Sequence, residues 1–97
     1  MRNYEMMTIV SPDIETEPYE AWIKKTEKLI TKNKGKIESI DRWGRKRLGV
    51  EIRHFKDGNY SIFYFAGLTT TVKEIDRLMK IDDDVLRFMI VRKPEKA

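Results

Sequence analysis

The sequence predicts an α+β fold: four antiparallel strands with two helices on one face, in the order β-α-β-β-α-β. Three observations lead there. Stretches with apolar residues at every second position, or nearly continuous β-branched and aromatic residues, read as strands. Two segments with apolar residues three and four apart read as amphipathic helices between them. A tight-turn signal joins the second strand to the third, so only that pair needs no crossover. Two β-α-β units, each crossing right-handedly, interleave into one sheet, the ferredoxin-like arrangement.

In the first strand Tyr4, Met6, Thr8 and Val10 alternate with Glu5, Met7 and Ile9, and Ser11-Pro12-Asp13 stops the run. Thr16 is placed to cap the first helix, Pro18 is tolerated in its first turn, and Glu15, Glu17 and Glu20 suit the positive end of its dipole. The stripe is Tyr19, Trp22, Ile23, Leu29 and Ile30, with Thr26 and Asn33 on the same spacing. Lys24, Lys25, Lys28 and Lys32 fall largely off it, as a solvated face, and Lys34-Gly35 ends the helix. The second strand starts near Lys36, and Trp43-Gly44 interrupts it as a bulge or bend. From Leu48 through Val50 to Ile52 every second residue is apolar, whereas Tyr60 to Phe65 is almost wholly aromatic or β-branched. Between them, Lys56-Asp57-Gly58-Asn59 supplies the Asp-Gly pair of a tight reversal. Thr71 and Glu74 form a capping-box pattern before the second helix. Its stripe is Val72, Ile75, Leu78 and Met79, and it ends before Asp82-Asp83-Asp84. Val85 to Arg92 is the last strand, and a charged tail with Pro94 closes the chain over residues 93–97.

Strand parity divides the sheet into a helix-covered face and an open face. Glu5 and Arg87 mark the open side of their strands. Met6, Thr8, Val10, Phe63, Phe65, Leu86, Phe88 and Ile90 then point to the core. Met7, Ile9, Tyr60, Ile62, Tyr64, Met89 and Val91 share the open face. A contiguous apolar patch of that kind reads as a protein-partner surface in preference to one covered by the chain's own termini or long basic stems.

At 97 residues the chain is expected to form one domain over residues 1–97. It has no cysteine, which fits a reducing compartment, and no run of about eighteen apolar residues, so a cytoplasmic protein is expected. Its 20 basic and 16 acidic residues leave +4. Arg42, Arg45, Lys46, Arg47, Arg53 and Lys56 against Glu51 make +5 between positions 42 and 56, leaving the rest of the chain at −1. Such a local excess suits a polyanion.

Phosphate contacts need cationic donors and carry affinity without sequence information. The candidates for RNA binding are Arg2, Arg45, Lys46, Arg47, Arg53 and Arg87, with Asn3 and His54 as hydrogen-bonding neighbours. Each alone reads equally well as an ordinary solvated charge; Arg45 to Arg47 as a cluster favours contact. Trp22 belongs to the core, and Trp43 fits either packing at the strand bend or stacking on a base, with packing favoured. No catalytic residue, metal ligand or cofactor is expected. There is no thiol nucleophile, His54 is the single histidine, and Ser11-Pro12-Asp13-Ile14 offers no row of amides to cradle phosphate. Three adjacent aspartates read as a solvated turn. An autonomous RNA-recognition motif is disfavoured because Asp57-Gly58-Asn59-Tyr60-Ser61 keeps little of its signature, and Met7 and Ile9 stand where the first strand would need aromatics.

The segments MRNYEMMTIVSPD, GRKRLGVEIRHFKDGNYSIFYF and IDDDVLRFMIVRK together resemble the bacterial ribosomal protein six family of the small subunit, in the same order and spacing. The most specific part is Gly44, Lys46, Arg47, Leu48, Ile52 and Arg53. Gly49 stands where the family usually has Ala or Ser, and Val50 where it usually has Tyr, so no contact by that tyrosine carries over. The tail lacks the glutamate run of some members, so glutamylation is not implied. The resemblance implies a non-enzymatic ferredoxin-like constituent of the small subunit's central platform. Such proteins bind small-subunit (16S) ribosomal RNA together with ribosomal protein eighteen, without membrane or small-molecule substrate.

Overall fold

The computed structural model describes residues 2–93, so Pro94 and the rest of the predicted tail lie outside the described residues. The elements are β1 (Arg2–Val10), α1 (Thr16–Lys32), β2 (Lys36–Ile52), β3 (Phe55–Gly67), α2 (Thr69–Ile81) and β4 (Val85–Arg92). The sheet order is β2-β3-β1-β4 with every neighbouring pair antiparallel, the ferredoxin-like topology expected from the element order.

The main core lies between the sheet and the two helices. Tyr4, Met6, Val10, Phe63, Phe65 and Val85 from the strands meet Tyr19, Trp22, Ile23, Ile30, Ile75 and Met79 from the helices. Polar groups buried there have partners, as desolvation requires. Thr8 Oγ1 donates to the Ser61 carbonyl at 3.2 Å, the Tyr19 hydroxyl and Ser61 Oγ hydrogen-bond, and Trp22 Nε1 donates to Asp82 Oδ2 at 2.9 Å. Asp82 is therefore structural: its other oxygen accepts the Asp84 N–H, which shapes the turn into β4.

Both helix starts differ from the capping expected. Glu15 precedes α1, makes no side-chain cap, and leaves Thr16 as the first helical residue. Helix α2 begins two residues before Thr71, whose Oγ1 accepts the Leu68 N–H at 3.1 Å and donates to the Asn33 carbonyl at 2.6 Å. Thr71 thus fastens the start of α2 to the end of α1, while Glu74 pairs with Arg77. The end of α1 is a Schellman turn, with Gly35 N–H on the Ile30 carbonyl and Lys34 N–H on that of Thr31. Lys34, not Gly35, takes the left-handed conformation (φ 67°). Gly35 serves instead for close approach, since a Cβ there would lie 2.6 Å from Ile30 Cγ2.

The β2–β3 hairpin corrects the sequence reading in two ways. Its reversal is the pair Arg53-His54, both at positive φ (50° and 69°), as a two-residue loop with the strand twist requires; Asp57-Gly58 lies inside β3. Gly58 is spent on packing: a Cβ there would stand 2.5 Å from Ile9 Cγ2. The alternation through Leu48, Val50 and Ile52 breaks, because pairing slips between Arg47 and Ile52, leaving Val50 64% exposed and Leu48 buried. Val10 pairs with Asn59, so the hairpin from position 46 to 58 projects beyond the end of β1.

That overhang forms a second, smaller apolar cluster. Ile9, Leu48 and Leu86 are buried together, with Ile52, Phe55 and Tyr60 packed against them. Two parity assignments change here. Ile9, expected on the open partner surface, is 4% exposed because the hairpin covers it. Leu86, expected in the main core, belongs to this cluster; the β1–β4 register slips between Ile9 and Val10, which brings Val85 to the main core instead.

Candidate nucleic-acid interface

The pairing register lays out the helix-free face as a grid. One row across the sheet is Gly44, Tyr60, Ile9 and Arg87; the next is Asp41, Ile62, Met7 and Met89; the third is Ser39, Tyr64, Glu5 and Val91. Met89 and Val91 are exposed, and Met7, Tyr60, Ile62 and Tyr64 are half-buried, so six of the seven expected patch residues share one accessible face. One end of the patch is dressed by Lys93, whose Nζ lies 3.1 Å from Glu5 Oε1 and 5.2 Å above the Tyr64 ring. Polar Ser39 and Asp41 border it along β2.

The cations gather mainly on the overhang, but not as one bundle. Strand alternation puts Arg45 and Arg47 on one face and Lys46 on the other. Arg45 makes a two-pronged pair with Asp57, Nε to Oδ2 at 2.8 Å and Nη2 to Oδ1 at 3.2 Å. That hydrogen bond, aided by the charges of Arg45 and Arg47, holds the Asp57 carboxyl below the ordinary carboxylate range. Among the described residues Lys46 and Arg47 make no ion pair with a carboxylate, and both are exposed. At the tip, Arg53 Nη1 donates to the Asp83 carbonyl at 3.3 Å, and His54 Nδ1 is 3.5 Å from Glu51 Oε1, with its side chain 98% exposed.

Other predicted residues lie elsewhere. Arg87 shares the open face with Ile9 and Tyr60 and extends the cationic end across to β4. Arg2 and Asn3 are exposed at the far end of β1, roughly 27 Å from its hairpin end at 3.3–3.4 Å per residue. Arg42, part of the local excess, is diverted to the helix side. Its guanidinium pairs with Glu20 and lies 5.4 Å from the Tyr19 ring centroid, and this hydrogen bond depresses the Glu20 carboxyl.

Trp43 packs at the bend, as favoured, but only on one side: it stacks on Tyr60, ring centroids 6.5 Å apart and planes 12° from parallel, and stays 51% exposed. The interruption expected at Trp43-Gly44 is there: Gly44 has a positive φ of 77° and the β2–β3 register slips between Arg42 and Gly44. Trp22 is core as expected. Among the described residues, no three His, Asp or Glu side chains are grouped to hold a metal ion.

Comparison with known proteins agrees with this architecture along its length. The profile of the family described as Ribosomal protein S6 matches residues 3–92. The small ribosomal subunit protein bS6 of Symbiobacterium thermophilum is 46% identical over 95 residues, covering 98% of this chain and 100% of that one. That of Moorella thermoacetica is 39% identical over 97 residues, covering 100% and 99%. The crystal structure of 30S ribosomal protein S6 from Thermotoga maritima superposes with a TM-score of 0.91 at 28% identity, covering 95% of this chain and 87% of that chain. Sequence and fold therefore converge on one assignment: the chain belongs to the ribosomal protein S6 family.

Proposed function

We propose that this protein is a structural, non-catalytic constituent of the bacterial small ribosomal subunit, working in the cytoplasm. It binds 16S ribosomal RNA through the hairpin cations and ribosomal protein eighteen through the open sheet face. The observation that carries this reading is the overhang. Lys46, Arg47 and Arg53 ride on a hairpin segment that projects past β1, directly beside an apolar face that neither helix covers. Projecting cations suit phosphates, and an uncovered apolar face suits a protein. Membership of the ribosomal protein S6 family supports a place in the small ribosomal subunit.

The test measures binding to purified 16S RNA in the presence of ribosomal protein eighteen over a range of salt. Lys46→Ala with Arg47→Ala lowers the magnitude of the log–log salt slope by roughly 0.7–0.9 for each lost phosphate contact. Arg45→Ala does less, because Asp57 already engages that guanidinium. An unchanged slope in the double variant rejects the overhang as the RNA contact. For the protein surface, Met89→Asp leaves the free chain folded and abolishes capture of ribosomal protein eighteen; retained capture rejects the face.

A further inference from the structure

We infer that Trp43 is a stacking platform for one unpaired RNA base. The inference deepens the RNA-contact reading above and rests on it. Trp43 is a large aromatic left half in solvent, at 51% exposure. It is held rather than dangling: one side of the indole lies against Tyr60, nearly parallel to it. The bulge at Gly44 fixes the backbone that presents it. An indole braced on one side and open on the other is built to receive a third flat ring, and every base has such a ring.

The charge pattern along β2 selects a nucleic acid over a protein as the occupant. On the side of Trp43 towards the apolar patch, the strand shows Asp41, which faces Ile62. On the other side come Arg45, Lys46 and Arg47, and Lys46 shares the open face with the indole. A base on Trp43 therefore has its own phosphate directed at cations rather than at Asp41, the pairing of aromatic and positive groove used by single-strand readers.

Two 12-nucleotide probes of equal charge test this by fluorescence titration at low salt: oligouridylate, and the same ribose-phosphate chain without bases. Trp22, buried in the core, supplies a constant background. The full chain is expected to bind oligouridylate roughly five- to a hundredfold more tightly than the abasic probe, with quenching of Trp43 emission. Trp43→Ala removes that preference while keeping the salt slope, and Trp43→Phe keeps most of the preference. Equal binding of the two probes by the unaltered chain overturns the platform, as does a Trp43→Ala variant with the preference intact. Loss of ribosomal protein eighteen capture in RNA-free solution by Trp43→Ala, with probe binding unaffected, overturns it in favour of a protein contact. Failure of both probes to bind at all sinks the RNA reading itself, a distinguishable result.

Discussion

The two apolar clusters of this protein are assembled by different rules. Under the helices, burial follows period: alternate strand residues and three-and-four helix residues converge, and Met6, Phe63, Phe65, Ile30 and Ile75 lose all solvent contact. Under the hairpin overhang, burial follows departures from period. A register slip frees Leu48 from its ladder, another turns Leu86 around, and Gly58 lets β3 approach Ile9. The larger cluster holds the fold, and the smaller one aims the cationic hairpin. A protein can thus carry a second small core whose task is to position a binding arm.

Five substitutions break or sharpen this comparison. Phe63→Ala empties the centre of the main core and is expected to cost about 3–5 kcal/mol in denaturant unfolding, loosening the whole molecule. Ile9→Asp buries a charge in the smaller cluster and should cost about 3 kcal/mol. Met89→Asp, on the same face but 53% exposed, should stay within about 0.5 kcal/mol of the parent. Equal unfolding midpoints for these two would refute the covering of Ile9. Gly58→Ala drives a methyl group into Ile9 and should cost about 1–3 kcal/mol, measured by urea titration. Gly49→Ala, with nothing within 4 Å of the added carbon, should change stability by less than about 0.5 kcal/mol.

The smallest effect concerns pH. Asp57 is held below its ordinary pKa by Arg45, so the folded state binds that proton more weakly than the unfolded chain does. The resulting stability is present above the unfolded carboxylate pKa and is lost as pH falls through the depressed folded value. Asp57→Asn should flatten the acid limb of a stability–pH curve slightly and leave stability near neutrality almost unchanged, because the pair is exposed. A variant that matches the parent throughout the acid limb would show the pair to be energetically silent.

Much of the architecture was legible in the chain. Element order, the helix stripes through Trp22 and Ile75, and the parity of Phe63 against Ile62 all emerge as expected, since local periodicity and burial agree there. Six of the seven patch residues share the open face for the same reason. The turn was misread because Asp57-Gly58 satisfies a local rule while a tertiary neighbour, Ile9, makes a stronger demand on that glycine. The site was less legible than the fold. Arg45 and Arg42 look equivalent to Lys46 in a charge count, yet Asp57 and Glu20 claim them.

Composition, period and spacing by themselves determined four strands, two helices, a cationic middle and an apolar face without helices, because each depends on residues close in sequence. Only the tertiary structure decided which cations carboxylates claim, that Ile9 is covered, and that Trp43 stacks half-exposed on Tyr60. The physical reason is that pairing partners and bulges bring together residues tens of positions apart, and one inserted residue reverses every assignment made by counting.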